Sequence, residues 1–485
     1  MKIIDDFLNN ITMYRLTLYF LIALSLTGFF YSLIGILPFD PIQYVFSITL
    51  LLLTCYLTNR LFSSVFKAPT NIESFWISAL ILGLIIKPPT NLTETIFIFW
   101  AGVLAMSSKY ILAVGKKHIF NPVAISVAIT SLTINGSANW WVGTISMLPV
   151  VSIGALLIIR KIRRWDLVIS FLITALLITG PNRILRSITD SPLVFFASIM
   201  ITEPLTTPPT RMLRIIYGAI VGFLFSPQIH IGPIFSTPEI SLIIGNVFSY
   251  LASPKYKLLL TLKERAQLTP DTFDFVFASD IPVKFKPGQY MEFTLDHRSP
   301  DARGVRRYLS IASAPTEEDI RLGVKVGNPP SSFKKNLLNL SVGQKIVAGQ
   351  LIGDFTLPKD VNKKIVLIAG GIGITPYRSI LKDLIDRNEK RDIVILYSAS
   401  SSEEFVYKDI LTEAERKLGI KTIFIDTSKE GHMDAGKLVN LIPDYLNRTF
   451  YISGSHGVVS SFENLLKSLR VQSSHVITDY FPGFV

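Results

Sequence analysis

Three short stretches bring together residue types that can hold a nucleotide. In RRYLSIASAP (306–315), Arg307 precedes Ser310 on one strand. Arginine offers a fork of donors matched to phosphate oxygens, and a serine hydroxyl can reach a phosphate or the edge of a flavin ring. In GNPPSSFKKNLLNL (327–340), Ser331 and Ser332 stand ahead of an amphipathic helix, so the helix amino end suits a second phosphate; ordinary helix capping is the plain alternative. In IVLIAGGIGITPYRSIL (365–381), a buried strand runs through Gly370, Gly371 and Gly373 into Thr375 and a helix, which presents backbone amides to a pyrophosphate. This is not the Gly-x-Gly-x-x-Gly fingerprint, and its weight comes from what precedes it.

What precedes it reads as an antiparallel barrel. KLLLTLKERAQLTPDTFDFVFAS alternates apolar and polar residues and turns at Pro270-Asp271, and FKPGQYMEFTL (285–295) reads as a second hairpin around Pro287-Gly288. After GDFTLP (353–358) the period changes. KIVLIAG, DIVILYSAS, KTIFIDTS and TFYISGS are apolar strands with helices between them, which predicts a parallel, doubly wound sheet with its ligand at the carboxyl edge. The expected domains are a membrane domain over 1–252, a β-barrel over 256–358 and a nucleotide-binding α/β domain over 363–485.

Before residue 252 the chain is different. Ten apolar runs follow one another with few charges between them, at roughly 15–37, 42–58, 74–86, 96–114, 119–134, 142–159, 165–180, 191–202, 212–226 and 239–252. They predict a polytopic α-helical membrane domain of about ten spans. Arg160, Lys161, Arg163 and Arg164 belong in the cytoplasm by the positive-inside rule; alternation puts Lys116, Lys117, Arg60, Lys67, Lys2, Arg15, Arg211 and Arg214 with them, and Lys87, Arg183 and Arg186 outside. Both termini then face the cytoplasm of a multi-pass cell-membrane protein. ALILGLIIKPPTN (79–91) and ASIMITEPLTTPPTR (197–211) echo each other as short apolar segments broken by Pro-Pro-Thr, each third in a five-span half. Five is odd, so the halves are expected to be inverted, with half-helices meeting around a site. Asn121, Glu203 and Thr206 are the candidate residues of that site, since an ionisable group in a broken span is a functional candidate; a position beyond the helix end, in water, is the plain alternative for Glu203. His118 reads as an interfacial cation rather than a metal ligand.

Two resemblances rest on these residues. SKYILAVGKKHIFNPVAISVAI (108–129) and MITEPLTTPPT (200–210) resemble the membrane flavin subunits, B-type and D-type, of the sodium-pumping NADH:quinone oxidoreductase and the Rnf complex, over most of residues 15–252. The resemblance implies flavin in the membrane. Those subunits often join FMN to a threonine in Gly-Ala-Thr, which this chain lacks, so the implied group is non-covalent FMN or riboflavin. Residues 256–485 resemble the ferredoxin–NADP reductase superfamily in four motifs in order: barrel, arginine–serine strand, serine turn, and Gly-Gly-x-Gly-x-Thr-Pro followed by a terminal Gly-Ser. That resemblance implies that Arg307 meets the FAD pyrophosphate, Ser310 the isoalloxazine edge, and Ser331 with Ser332 the phosphates. Gly370, Gly371, Gly373 and Thr375 would shape the dinucleotide pocket, with Gly454 and Ser455 beside the nicotinamide. Ser310 and Ser453 are the implied catalytic positions, Ser453 standing where a cysteine is common. Leu309 occupies the usual place of an aromatic ring stacked on the flavin, with Tyr308 adjoining, and TDYFPGF (478–484) offers Phe481 or Phe484 for the flavin.

The expected function is a membrane-bound oxidoreductase passing electrons from NADH or NADPH through FAD to a carrier in or across the membrane, with a quinone or another electron-transfer subunit as partner and ion transport as an implied extension. Glu403 and Glu404 disfavour a 2′-phosphate and Lys408 favours one, which leaves the choice of dinucleotide open. A transporter regulated by the reductase, and a haem-type ferric reductase, are the rivals. Haem pairs need repeated histidines, and the first half has only His118 and His230. The net charge of +12 is explained by membrane-flanking cations, not by nucleic acid. One cysteine, Cys55, excludes an intramolecular disulfide, a four-cysteine zinc site and a cysteine-ligated iron–sulfur cluster, and no metal site is expected.

Overall fold

The computed structural model describes residues 7–8, 11–66, 72–114, 117–134, 136–232, 234–253, 257–297, 300–301 and 304–481. Lys2, Lys67, Lys116 and Phe484 lie outside the described residues, and so does the ring of Phe481. The chain divides into two compact units, 1–257 and 258–485.

Each of the ten apolar stretches of the first unit falls on helix. These are α1 (Met13–Leu33), α2 (Pro41–Val65), α3 (Ile72–Ile85), α4 (Leu92–Ile111), α5 (Pro122–Thr133), α6 (Leu148–Ile162), α7 (Trp165–Thr179), α8 (Leu193–Phe195, running on through a π turn at Phe196–Met200), α9 (Arg211–Leu224) and α10 (Pro238–Ala252). Side-chain caps start several of them: Asp40, Asn121 and Thr237 each accept from the first-turn amides just ahead of a proline, whose missing N–H costs nothing there. The expectation of ten spans needs correction. Among the described residues only α1 and α2 are long and apolar enough to cross a membrane, with a third candidate if Trp165–Thr179 and Pro181–Thr189, bent by 102°, count as one broken span. The other helices are too short or too polar by that measure, because periodicity finds helices but not the length that crossing demands.

The same series occurs twice. After the third helix comes Pro-Pro-Thr, then a helix, a two-stranded hairpin and a proline-started helix. The hairpins are β1 (Ala113–Val114) with β2 (Lys117–His118), and β3 (His230–Ile231) with β4 (Ile234–Phe235). In the first series α4 packs on α2 and α5; in the second α9 packs on α7 and α10. Glycines make both crossings close: a Cβ on Gly102 would overlap Thr54 of α2, and one on Gly218 would stand 2.6 Å from the Leu167 carbonyl oxygen of α7. The series meet each other through α1 with α6 and α5 with α10.

The second unit holds two sheets. β5 (Lys257–Thr269), β6 (Thr272–Ser279), β7 (Tyr290–Thr294), β8 (Arg306–Ser310), β9 (Ile320–Lys325) and β10 (Lys345–Ile352) form one sheet of order β8-β7-β10-β5-β6-β9. Its two edges approach each other where Ala312 N donates to Arg321 O at 2.8 Å, curling the sheet around a core that includes Leu260, Phe275, Phe293, Leu322 and Phe333. The helix α11 (Ser332–Leu338) packs against that core through Phe333 and Leu337. The expected hairpin at 285–295 does not form. Gly288 has φ of 90° and turns the chain, so only Tyr290–Thr294 enters the sheet, paired with β10 and β8.

The second sheet is parallel, of order β13-β12-β11-β14-β15, built from β11 (Ile365–Gly370), β12 (Ile393–Ala399), β13 (Lys421–Asp426), β14 (Thr449–Ser455) and β15 (Val476–Phe481). Helices α12 (Thr375–Arg387) and α13 (Lys408–Leu418) cover one face, and α14 (Ala435–Leu441) and α15 (His456–Ser468) the other. Covered on both faces, β11 is buried at every residue, as a central parallel strand must be.

Gly288 carries a testable load, since a Cβ there would overlap the Phe355 carbonyl oxygen. Gly288→Ala should destabilise the second unit by about 2–4 kcal/mol, lowering its melting temperature in the purified protein. Gly436→Ala in α14, where the nearest atom stands at 3.4 Å, should leave it unchanged or raise it. Equal melting temperatures for the two variants would contradict the assignment.

Candidate functional site

Strand alternation sorts the arginine–serine strand into two faces. Arg307 lies opposite Phe293 and Leu309 opposite Met291, so both point to the barrel core. The buried Arg307 guanidinium sits 5.2 Å over the Phe333 ring and donates to the carbonyls of Gly304 and Arg306 at 3.2 and 2.6 Å, with Asp301 at 3.9 Å. Ser310 faces the other way, together with Tyr308 and Arg306. The expectation of Arg307 and Ser310 on one strand is met, but they do not share a face. The arginine on the serine's face is Arg306, 3.7 Å from Glu292, and the aromatic rings there are Tyr308 and Tyr290, set edge to face at 5.9 Å. Tyr308 donates to Glu292 at 2.8 Å. Arg306 and Tyr290 went unnoticed in the sequence, although period two along RRYLS marks the first of them.

The serines of the turn are engaged locally. Ser331 caps the seven-residue α11, accepting from Lys334 N at 3.3 Å, while Ser332 accepts from Asp301 N at 3.0 Å and its own amide donates to the Asp301 carboxylate at 2.9 Å. Thus the plain alternative, capping, holds for Ser331, and Ser332 anchors the loop before β8.

At the carboxyl edge of the parallel sheet the glycines meet. Gly371 has φ of 54° with nothing near a would-be Cβ. A Cβ on Gly373 would lie 2.5 Å from the Ser453 carbonyl carbon, and one on Gly454 would stand 3.3 Å from Gly370 Cα. The Thr375 hydroxyl donates to Ile372 O at 3.0 Å, fixing the turn, and Ser455 caps α15. Two hydroxyls remain. The Oγ atoms of Ser310 and Ser453 are buried and have no hydrogen-bond partner among the described residues, an arrangement that costs free energy unless a ligand completes it. Opposite Ser453 in the β14–β15 ladder stands Asp479, a carboxylate whose signal in the sequence is one acid within the otherwise uncharged strand VITDYF.

The barrel and the parallel sheet interlock beside these groups. Arg378 of α12 forks onto Glu317 at 2.9 and 3.1 Å and donates to Ala312 O at 2.7 Å; Ser379 donates to Ser313 O at 2.6 Å. Burial works against the Glu317 carboxylate, but the Arg378 fork, the Ala314 amide and the Arg321 charge together outweigh it and hold its pKa below the usual range. Near the end of β12, Glu403 is exposed, Glu404 pairs with Lys325 at 2.8 Å, and Lys408 folds back toward Ser402 O at 3.4 Å.

In the first unit the three candidate residues come together. Asn121 Nδ2 donates to Glu203 Oε2 at 2.8 Å and Thr206 Oγ1 to the same oxygen at 3.2 Å, while His118 Nε2 lies 3.5 Å from Oε1. Asn246, absent from the sequence reading, accepts from Asn121 N at 2.7 Å and donates to Tyr217 at 3.1 Å. His118 and Asn121 belong to the first helical series; the others belong to the second.

Comparison with known proteins bears on the second unit. Residues 367–454 match the oxidoreductase NAD-binding domain family. A flavohemoprotein of Oceanobacillus iheyensis is 26% identical over 240 residues, 47% of this chain and 58% of that protein. The glycine betaine monooxygenase reductase subunit of Chromohalobacter salexigens is 27% identical over 230 residues, 44% of this chain and 61% of that protein. The carboxyl-terminal half therefore contains an oxidoreductase NAD-binding domain and is similar to these reductase-bearing proteins. The chain spans about three-fifths of the length of these curated relatives. Among solved structures, the FAD/NAD-binding domain of a nitric oxide dioxygenase from Vibrio cholerae aligns with 46% of this chain and 98% of its own, at 22% identity and a TM-score of 0.41.

The Glu317 pKa gives the interlock a pH signature. Because the folded value is depressed, the stabilisation is complete above the unfolded value and is lost as pH falls through the folded one. The reductase unit should therefore lose melting temperature below about pH 4, and Glu317→Gln should flatten that slope while lowering stability at neutral pH. An unchanged slope in the variant would contradict the assignment.

Proposed function

We propose that this protein is a membrane flavoprotein in which NADH reduces FAD in residues 258–485 and the amino-terminal unit receives the electrons. The observation that carries the reading is the pair of buried hydroxyls, Ser310 and Ser453, left without partners on a barrel strand and a parallel strand of one reductase module. Their surroundings fit the two nucleotides. Tyr308 and Tyr290 offer rings on the Ser310 face, and Arg306 on that face offers a cation to phosphate. Gly371 leaves its backbone open to a dinucleotide at the sheet edge, and Gly373 packs the turn against β14. When bound, the flavin accepts a hydride and releases electrons one at a time, chemistry that belongs to the cofactor. The chain's own work is to orient the rings, supply donors from Ser310 and Ser453, and keep water out of the contact. The exposed Glu403 favours NADH, since a carboxylate there repels a 2′-phosphate.

For the first unit the reading rests on the resemblance to membrane flavin subunits, on the two long apolar helices and on the repeated series. A multi-pass membrane unit of two inverted halves, several of its helices crossing only part of the bilayer, accommodates all three. The network of Asn121, Glu203, Thr206 and Asn246 joins the halves and is the proposed place for a membrane redox group, non-covalent FMN or riboflavin, that passes electrons to a quinone or a partner subunit. The reductase module then faces the cytoplasm, where NADH is present.

Quantifying flavin in the purified full-length protein before and after acid precipitation, with NADH oxidation followed in proteoliposomes containing quinone, tests both parts. Two flavins per chain, both released by acid, and quinone-dependent oxidation are expected. One FAD without a second chromophore, and no transfer to quinone, would remove the role of the first unit. Arg306→Ala should lower FAD occupancy about tenfold or more, by removing charge-assisted hydrogen bonds to phosphate; full occupancy would contradict the site.

A further inference from the structure

Tyr407 stands immediately before α13 with φ of 57°, a left-handed conformation that a bulky residue adopts only where its surroundings hold it. What holds it is the barrel. Its hydroxyl donates to Asp274 Oδ1 of β6 at 2.9 Å, and the buried Asp274 takes Arg321 of β9 on its other oxygen. Arg378 lays its guanidinium 5.6 Å above the Tyr407 ring. Gly323 of β9 sits directly beneath: a Cβ there would stand 2.5 Å from Tyr407 Oη and 2.6 Å from Thr375 Cγ2. At one residue, therefore, the barrel touches both the end of the glycine turn and the segment that leaves β12.

That segment is fastened a second time. Lys325 of β9 bridges Glu404 at 2.8 Å and Asp271 at 3.2 Å. Burial, reinforced by the Asp274 charge, pushes the Tyr407 phenol far above its usual pKa, so it remains a donor across the physiological range. Burial also raises the Asp274 carboxyl above the usual range, with Arg321 opposing the rise. A merely structural tie would need none of this convergence on the glycine turn. Two chain segments that line the dinucleotide edge are indexed to the same point of the flavin-binding sheet.

We propose that Tyr407 is a positioning residue for hydride transfer, its bond to Asp274 fixing the dinucleotide edge against the barrel and so setting the approach of the nicotinamide to the flavin. It acts through the groups that it touches, Asp274 and the barrel strand at Gly323. The proposal rests on the reading of residues 258–485 as an NADH-to-FAD reductase, and the experiment separates the two.

Full-length Tyr407→Phe and wild-type protein, each loaded with FAD, are mixed anaerobically with NADH and with NADH deuterated at the transferred position, and flavin bleaching is timed. Misplacement of reacting atoms by a fraction of an ångström slows such a step by about ten- to a hundredfold. A slowing of about tenfold or more is expected, with a larger isotope effect and with the NADH concentration at half-maximal rate changed by less than about threefold. FAD content and bleaching by dithionite should match wild type. If Tyr407→Phe does not fold with FAD, Lys325→Met cuts the second tie and should slow bleaching by about threefold with the same isotope signature; wild-type behaviour in that variant overturns the proposal. Equal rates in wild type and Tyr407→Phe, or a loss confined to NADH affinity, overturn it too. Wild-type protein that NADH fails to bleach overturns the reductase reading itself, and the positioning role with it.

Discussion

No side chain fits at Gly373, because the turn after β11 passes against the backbone of β14 at Ser453. The rest of the reductase module depends on that closeness. It draws the ends of β11 and β14 together, so that the open, left-handed Gly371, the buried Ser453 hydroxyl and the Asp479 position of β15 share one edge. The turn continues into α12, whose Arg378 and Ser379 seize carbonyls of the barrel, and Thr375 in the same turn packs on Gly323. A crowded glycine thereby ties the dinucleotide edge to the sheet that carries Ser310. The strands and turns that carry these groups are held by backbone packing and by the Arg378–Glu317 pair.

Much of this was legible in the sequence, for a physical reason. Buried parallel strands are apolar throughout and antiparallel strands alternate, so IVLIAG and KLLLTLKERAQL announce different sheets. What stayed hidden depends on register between distant strands. Whether Arg306 or Arg307 shares a face with Ser310 is settled by pairing with β7, and the position of Asp479 opposite Ser453 by pairing of β15 with β14. Likewise Pro287-Gly288 resembles a hairpin turn locally, yet the positive φ at Gly288 serves a close approach to Phe355, which lies far along the chain. Ser331 stands ahead of an amphipathic run, and the cap that this place announces is present on α11.

In the first unit each apolar stretch falls on helix, although the short helix Ile184–Thr189 lies outside them all, and the pattern failed on how many cross. A helix is announced by composition alone, whereas a span also needs length, and Pro-Pro-Thr, Asn-Pro and Thr-Pro cut several of these helices short. The Pro-Pro-Thr echo did mark something real, since the same helix, hairpin and proline-started helix follow it twice. Glu203 was visible as an acid in an apolar setting; its bond to Asn121 joins distant parts of the chain and had no local signal, and Asn246 carried no signal at all. An ionisable side chain among such helices is retained where amide and hydroxyl donors surround it, and here they come from both series.

The proposed reaction is hydride delivery from NADH to a flavin bound by the second unit. Anaerobic titration of the purified full-length protein with NADH, read by flavin absorbance, tests it most directly. The account predicts that one equivalent bleaches one bound FAD and that NAD⁺ accumulates in step. Protein that carries no FAD, or FAD that dithionite bleaches and neither NADH nor NADPH does, would contradict it.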